Sequence, residues 1–169
     1  MKKMSTICLS LLLASSIGAT AMAALPQYPN YTNVQQGQVY GQRPSAQDMS
    51  IAGVTLGTPI ANVIQSLGTP TNYNDHVKFV GVELTYGGIT YGCNPVHYIS
   101  VINRDATTYR GIAVGDTLEQ VYAAYGRPDL MYNNQWFYGK FKPRSGYIQG
   151  IFFHHDGYRV TKIFITNGD

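Results

Sequence analysis

The chain has 169 residues, with twelve Lys and Arg against nine Asp and Glu, fourteen Tyr, one Trp and two Cys. An excess of three positive charges is too small for the electrostatic footprint of a nucleic-acid binder, and Lys2 and Lys3 fall in a segment read below as a leader. No apolar run reaches the roughly 20 residues that a helix needs to cross a bilayer, so neither a nucleic-acid partner nor a transmembrane segment is expected.

Met1-Lys2-Lys3, the apolar stretch 7–17 and Ala19-Thr20-Ala21-Met22-Ala23 follow the basic, apolar, small-residue order of a secretory signal peptide. This predicts residues 1–23 as a signal peptide and export to the periplasm or the extracellular space. Cys8 sits inside the apolar stretch rather than behind a lipobox, so no lipid anchor is expected. Cys93 is then the one remaining cysteine, which leaves no intrachain disulfide to form. Its two readings are a buried thiol and an intermolecular bridge. Residues 24–48 are rich in Pro, Gln, Asn and Gly without an apolar period, and read as a flexible linker that need not pack.

Beyond the linker the sequence repeats itself. Residues 53–70 align without a gap on residues 111–128, so that Gly53, Gly57, Val63, Gly68 and Pro70 recur as Gly111, Gly115, Val121, Gly126 and Pro128. Within each copy, Ile60, Val63, Ile64 and Leu67, and again Leu118, Val121, Tyr122 and Tyr125, follow the spacing of a helix with one buried stripe. The first helix is predicted to start at Thr58 as N-cap with Pro59 in the first helical position. The second is predicted to start at Asp116, with Glu119 completing a capping box. Gly68 or Gly126, backed by Pro70 or Pro128, ends each helix.

Aromatic and β-branched runs at 77–86, 89–92 and 96–103, and at 135–141, 147–153 and 159–166, predict three strands after each helix. Gly87-Gly88 and His155-Asp156-Gly157-Tyr158 supply hairpin turns. The expected fold class is α+β: two tandem helix-plus-three-stranded antiparallel sheet repeats, units 49–108 and 109–169, sharing one core. The last predicted strand alternates Val160 and Phe164 against Ile163 and Ile165, so that neither face is plainly solvated.

Candidate chemistry is sparse. His154-His155-Asp156 is the one cluster that suggests metal or catalysis, yet neighbouring side chains on a strand point to opposite faces, and a metal needs convergent ligands. His76 and His97 have no spacing that joins them to it. Phosphate-loop, nucleophile-elbow and zinc-hydrolase motifs are missing from the sequence. No catalytic residue, cofactor site or metal site is therefore assigned. Trp136, Tyr138, Lys140, Lys142 and Arg144 form the candidate partner-contact set, because Trp, Tyr and Arg dominate binding hot spots. The rival reading of the lysines is a solvated strand edge protected against stray pairing.

The order glycine, extended pair, glycine, capped short helix, Gly-x-Pro and then strands bearing Trp136-Phe137-Tyr138 and Asp156-Gly157-Tyr158-Arg159-Val160 resembles the SmpA/OmlA (BamE) outer-membrane assembly lipoproteins. Its tandem form is similar to the secreted beta-lactamase inhibitor proteins. Those families are respectively lipid-anchored with one such unit, and disulfide-bonded, and this chain departs from both patterns. The resemblance implies a non-enzymatic, exported module that binds another envelope or secreted protein. A homo-oligomeric envelope component, joined through the doubly apolar last strand and Cys93, is the alternative. A metal-assisted hydrolase using His154 and Asp156 ranks third.

Overall fold

The computed structural model describes residues 37–143 and 145–168. The predicted signal peptide, the linker as far as residue 36 and Arg144 lie outside the described residues.

A short hairpin, β1 (Ser50–Ile51) with β2 (Val54–Thr55), leads into α1 (Ile60–Leu67). Four strands follow it: β3 (Asn72–Val77), β4 (Gly81–Tyr86), β5 (Ile89–Gly92) and β6 (Tyr98–Val101). Then come α2 (Leu118–Tyr125) and four more strands, β7 (Leu130–Tyr132), β8 (Gln135–Phe141), β9 (Ile148–His155) and β10 (Val160–Gly168). Strands β3 to β10 form one antiparallel sheet in the order β3-β4-β5-β6-β10-β9-β8-β7. The two halves meet where β6 pairs with β10, Val101 opposite Ile163 and Ile99 opposite Ile165.

This overturns the expected α+β plan of two helix-plus-three-strand repeats. The described chain is mostly β, with two helices of eight residues each against a continuous eight-stranded sheet. Two strands were illegible for physical reasons. β3 is polar and almost wholly exposed, so it carries no burial alternation, and β7 is only three residues long. The segment read as one strand over 77–86 is the end of β3, a turn and β4. Its turn contains Phe79 at a φ of 68°, a left-handed conformation that bulky residues rarely signal.

The last strand lies within the sheet, with β6 on one side and β9 on the other. A register shift between Val160 and Lys162 puts Val160 in the same core as Ile163 and Ile165, not on the face of Phe164.

Both helices press on one side of the sheet. Ile60 and Val63 of α1 and Leu118 and Val121 of α2 share a core with Leu84, Tyr91, Ile99, Trp136, Ile151, Phe153, Ile163 and Ile165. Their caps are displaced by one residue from expectation. For α2 the N-cap is Thr117, whose hydroxyl accepts the Gln120 N–H while the Gln120 side chain accepts the Thr117 N–H. Asp116 instead takes Arg104 Nη1 at 2.7 Å and the N–H of Ala113 at 2.8 Å. For α1 the N-cap is Pro59, which has no side-chain cap of its own. Asn94, from the turn between β5 and β6, accepts the Ile60 N–H at 3.2 Å.

The glycines before the helices have a structural reason. Gly57 and Gly115 adopt φ values of 91° and 93°, accessible to glycine at little cost. Their N–H groups reach Val96 O and Val160 O, both at 2.7 Å. Return bonds run from Val96 N to Thr58 O and from Val160 N to Asp116 O, both at 2.9 Å. Each helix start is thereby stitched to the beginning of, or the approach to, its half's last strand.

Residues 37–48 do not behave as the free linker that composition predicts. Tyr40 bridges to Phe141 through backbone bonds of 2.8 and 3.0 Å and stacks on its ring at 5.5 Å. Asp48 is 3% exposed and receives Arg110 Nε at 2.8 Å and Nη2 at 2.9 Å.

Candidate functional site

The residues singled out in the sequence as a contact surface are not brought together as one. Trp136 is 2% exposed and lies opposite Phe153 on the helix-covered side. Tyr138 shares that side, and its hydroxyl donates to Gly126 O at 2.9 Å just past α2. Burial holds the Tyr138 hydroxyl far above its ordinary titration range, helped by the negative charge of Asp129. Lys140 lies opposite Gln149, and Lys142 holds the strand end by accepting the N–H of Ser145 and donating its own to Tyr147 O. Both lysines border a shallow depression of about 270 Å³ with Val39, Ser145 and Tyr147. Trp136 therefore presents nothing to a partner. A strand buried on both faces hides its aromatics whichever way the alternation is read.

His154, His155 and Asp156 likewise diverge. His154 lies on the helix-free side, where burial, then the charges of Lys162 and His155, push its pKa down. His155 turns to the core edge-on to Trp136, with centroids 6.1 Å apart. Its Nδ1 accepts the Gly157 N–H at 3.1 Å, which places the proton of the neutral ring on Nε2, a buried atom without a hydrogen-bond partner. Asp156 Oδ1 accepts the N–H groups of Tyr158 at 2.9 Å and Arg159 at 2.7 Å, closing the β9–β10 turn. Among the described residues no group of three or more His, Cys, Asp or Glu could hold a metal ion. The Cys93 thiol is half-buried, and desolvation raises its pKa against the opposing hydrogen bond from His97.

What the fold does assemble is the second side of the sheet. Phe137, Phe152, Phe164 and Tyr98 come from β8, β9, β10 and β6, which are successive neighbours across the sheet's middle. Their rings form a chain with centroid spacings of 4.5 Å (Phe137 to Phe152), 6.2 Å (Phe152 to Phe164) and 5.6 Å (Phe164 to Tyr98). Neither helix covers this row: residues of both helices pack in the opposite core. Phe137 lies over a cross-strand glycine pair, where a Cβ on Gly139 would come within 2.9 Å of its ring and one on Gly150 within 2.8 Å. Lys162 stands 5.2 Å from the Phe164 ring centre. With Gln135, Ile148, Phe152, His154 and Thr166, these two line a depression of about 340 Å³.

Toward the first half the same side turns polar, with Ser100, Thr90, Thr85 and Glu83. The Tyr98 hydroxyl donates to the Glu83 carboxylate. Gly92 makes room for the Tyr98 ring, since any Cβ there would collide with it.

Sequence reasoning overlooked this aromatic row. A signal existed: Phe152 and Phe164 alternate with the aliphatic or aromatic core residues Ile151, Phe153, Ile163 and Ile165. Only the pairing of β10 with both β6 and β9, and of β9 with β8, shows that the four rings are consecutive.

The arrangement defines a class of object, a single antiparallel sheet with helices on one side and, on the other, an aromatic row that is half-exposed at Tyr98, Phe164 and Phe152 and buried at Phe137. No protein-family model, curated protein or solved structure matches the chain. The likeness to the BamE and beta-lactamase inhibitor families rests on the short motifs alone.

Proposed function

We propose that this chain is an exported, non-catalytic protein-interaction module of the cell envelope, and that it receives a folded protein partner on the helix-free side of its sheet. The aromatic row Tyr98, Phe164, Phe152 and Phe137 carries the reading. Half-exposed Phe152, Phe164 and Tyr98 offer large, rigid apolar surface, and ordered aromatics lose little entropy on binding. Lys162 and the polar wing of Glu83, Thr85, Thr90 and Ser100 border it as a rim. The partner that fits presents aliphatic side chains over the row and a carboxylate opposite Lys162. Export rests on the leader pattern of residues 1–23.

The two groups named for hydrolysis, His154 and Asp156, do not converge. Asp156 closes the β9–β10 turn, while His154 lies apart from it on the helix-free side, beside Lys162. The homo-oligomer reading loses its main support because β10, the strand nominated for pairing with a second copy, already has two neighbours.

Affinity capture from the native envelope fraction, with wild type beside Phe152→Lys and Phe164→Lys, tests the proposal. The expected result is a protein retained by wild type, lost by both variants and reconstituted as a stable complex from purified components. Capture that survives both substitutions removes the sheet face from consideration.

A further inference from the structure

On the helix-covered side of the second half, a cleft of about 360 Å³ opens between the packed segment 42–48, the residues that follow α2 and the strands β8 and β9. That volume falls in the range of small-ligand sites, roughly 300 to 1,000 Å³. Three guanidinium groups line it, Arg43, Arg110 and Arg127, against two carboxylates, Asp48 and Asp129.

The three arginines are not equivalent. Arg110 is committed: Asp48 holds it through two nitrogens, it lies 4.6 Å from the Tyr125 ring centre, and its Nη1 donates to Ala124 O at 3.3 Å. That last bond, with the Tyr138 hydroxyl on Gly126 O at 2.9 Å, occupies carbonyls at the C-terminal end of α2, whose partial negative charge would otherwise oppose an anion. Arg43 and Arg127 are exposed, and neither forms an ion pair among the described residues. Asp129 turns one oxygen to the Gly139 N–H at 2.8 Å. Once the Asp48–Arg110 pair is set aside, the cleft keeps two guanidinium groups that have no ion pair among the described residues, against one carboxylate already bound to the backbone.

We propose that this cleft binds a small anion of the carboxylate or phosphate type, with Arg43 and Arg127 as its ligands and the Asp48–Arg110 pair as the fixed wall beside them. The planar fork of arginine matches two oxygens of either group at once, and this charge-assisted geometry is stronger than a neutral hydrogen bond. The wall is pre-formed. Segment 42–48 is tied down before it by the Tyr40–Phe141 bridge and at its end by Asp48, so binding needs little ordering of the chain.

Succinate and inorganic phosphate are the probes, titrated calorimetrically into the full exported chain, with chloride at matched ionic strength as the control. Saturable binding of at least one probe is expected, and the two arms separate carboxylate from phosphate preference. Arg43→Gln/Arg127→Gln is expected to weaken it by at least about tenfold, the scale of one lost charge-assisted bond. Both positions are exposed, so thermal unfolding of the double variant without ligand should match wild type. Absence of binding by both probes beyond the chloride control overturns the site, as does a double variant that binds as wild type does.

Discussion

The two halves of the sheet are built on one set of hydrogen bonds and furnished with different side chains. Gly57 and Gly115 make equivalent bonds to the last strand or its approach, and Tyr86 and Tyr138 each donate from the second strand of their half to the carbonyl of the helix-ending glycine, Gly68 or Gly126, at 2.9 Å. Yet the first half ends in an exposed polar edge strand, while the second is aromatic on both sides and is clasped by residues 37–48. The scaffold thus depends on few positions. Both candidate surfaces depend on what the second half adds to it.

The sharpest challenge to that contrast is Trp136→Ala, in the second half's core. Its counterpart in the first half, two residues before Tyr86 as Trp136 is before Tyr138, is fully buried Leu84. Urea unfolding should show a loss of about 3–5 kcal/mol for Trp136→Ala and about 2–5 kcal/mol for Leu84→Ala. A cost below 1 kcal/mol for Trp136→Ala would mean that the second half is not anchored there.

Next in size is Asp48→Asn, which tests the clasp. Burial acts to raise the Asp48 carboxyl, but the bonds from Arg110 and Ser45 outweigh it and hold the group below its ordinary range. Replacing it should cost about 1–3 kcal/mol, the penalty for a broken, mostly buried polar contact. Faster proteolysis within 37–48 should accompany that loss, and unchanged cleavage would show the clasp to be incidental.

The caps give a smaller and more discriminating pair. Thr117→Ala removes a cap made within α2, and Asn94→Ala removes one supplied to α1 from a distant turn. Each should lower stability by about 1 kcal/mol. Amide exchange would separate them: Thr117→Ala loosens the first turn of α2, whereas Asn94→Ala loosens both α1 and the β5–β6 turn.

The smallest expected effect is a response to acid in the second half. Burial depresses the pKa of His155 despite the raising effect of Asp156, and depresses His154 with help from Lys162 and His155. Below about pH 6.5 the unfolded chain therefore takes up protons before the folded one. Stability is full above that pH, declines as the pH falls through the interval down to the folded values, and declines no further from this source below them. His155→Phe keeps an aromatic ring beside Trp136 and should make the decline of Tm with acidification shallower. An unchanged slope would remove His155 as a contributor.

The helices were legible because a repeated 3.6-residue stripe and its flanking glycines are local facts. Their first residues were not, because Asp116 and Thr117 are both good caps, and the choice depended on Arg104 approaching from another segment. The polar strand β3 and the turn at Phe79 were missed because pairing with β4, not side-chain character, makes that segment a strand. Of the residues nominated for contact, Trp136 and Tyr138 fell to the core, since identity marks an aromatic as valuable without saying which side of a sheet it will occupy.

Local spacing alone was enough to dictate two short helices, their glycine ends and most of the strands, because periodicity and backbone freedom are properties of neighbouring residues. The joining of β6 to β10, the clasp of residues 37–48, the aromatic row and the arginine cleft were decided by tertiary structure. Each brings together side chains from segments far apart along the chain, and nothing in their own neighbourhoods records that meeting.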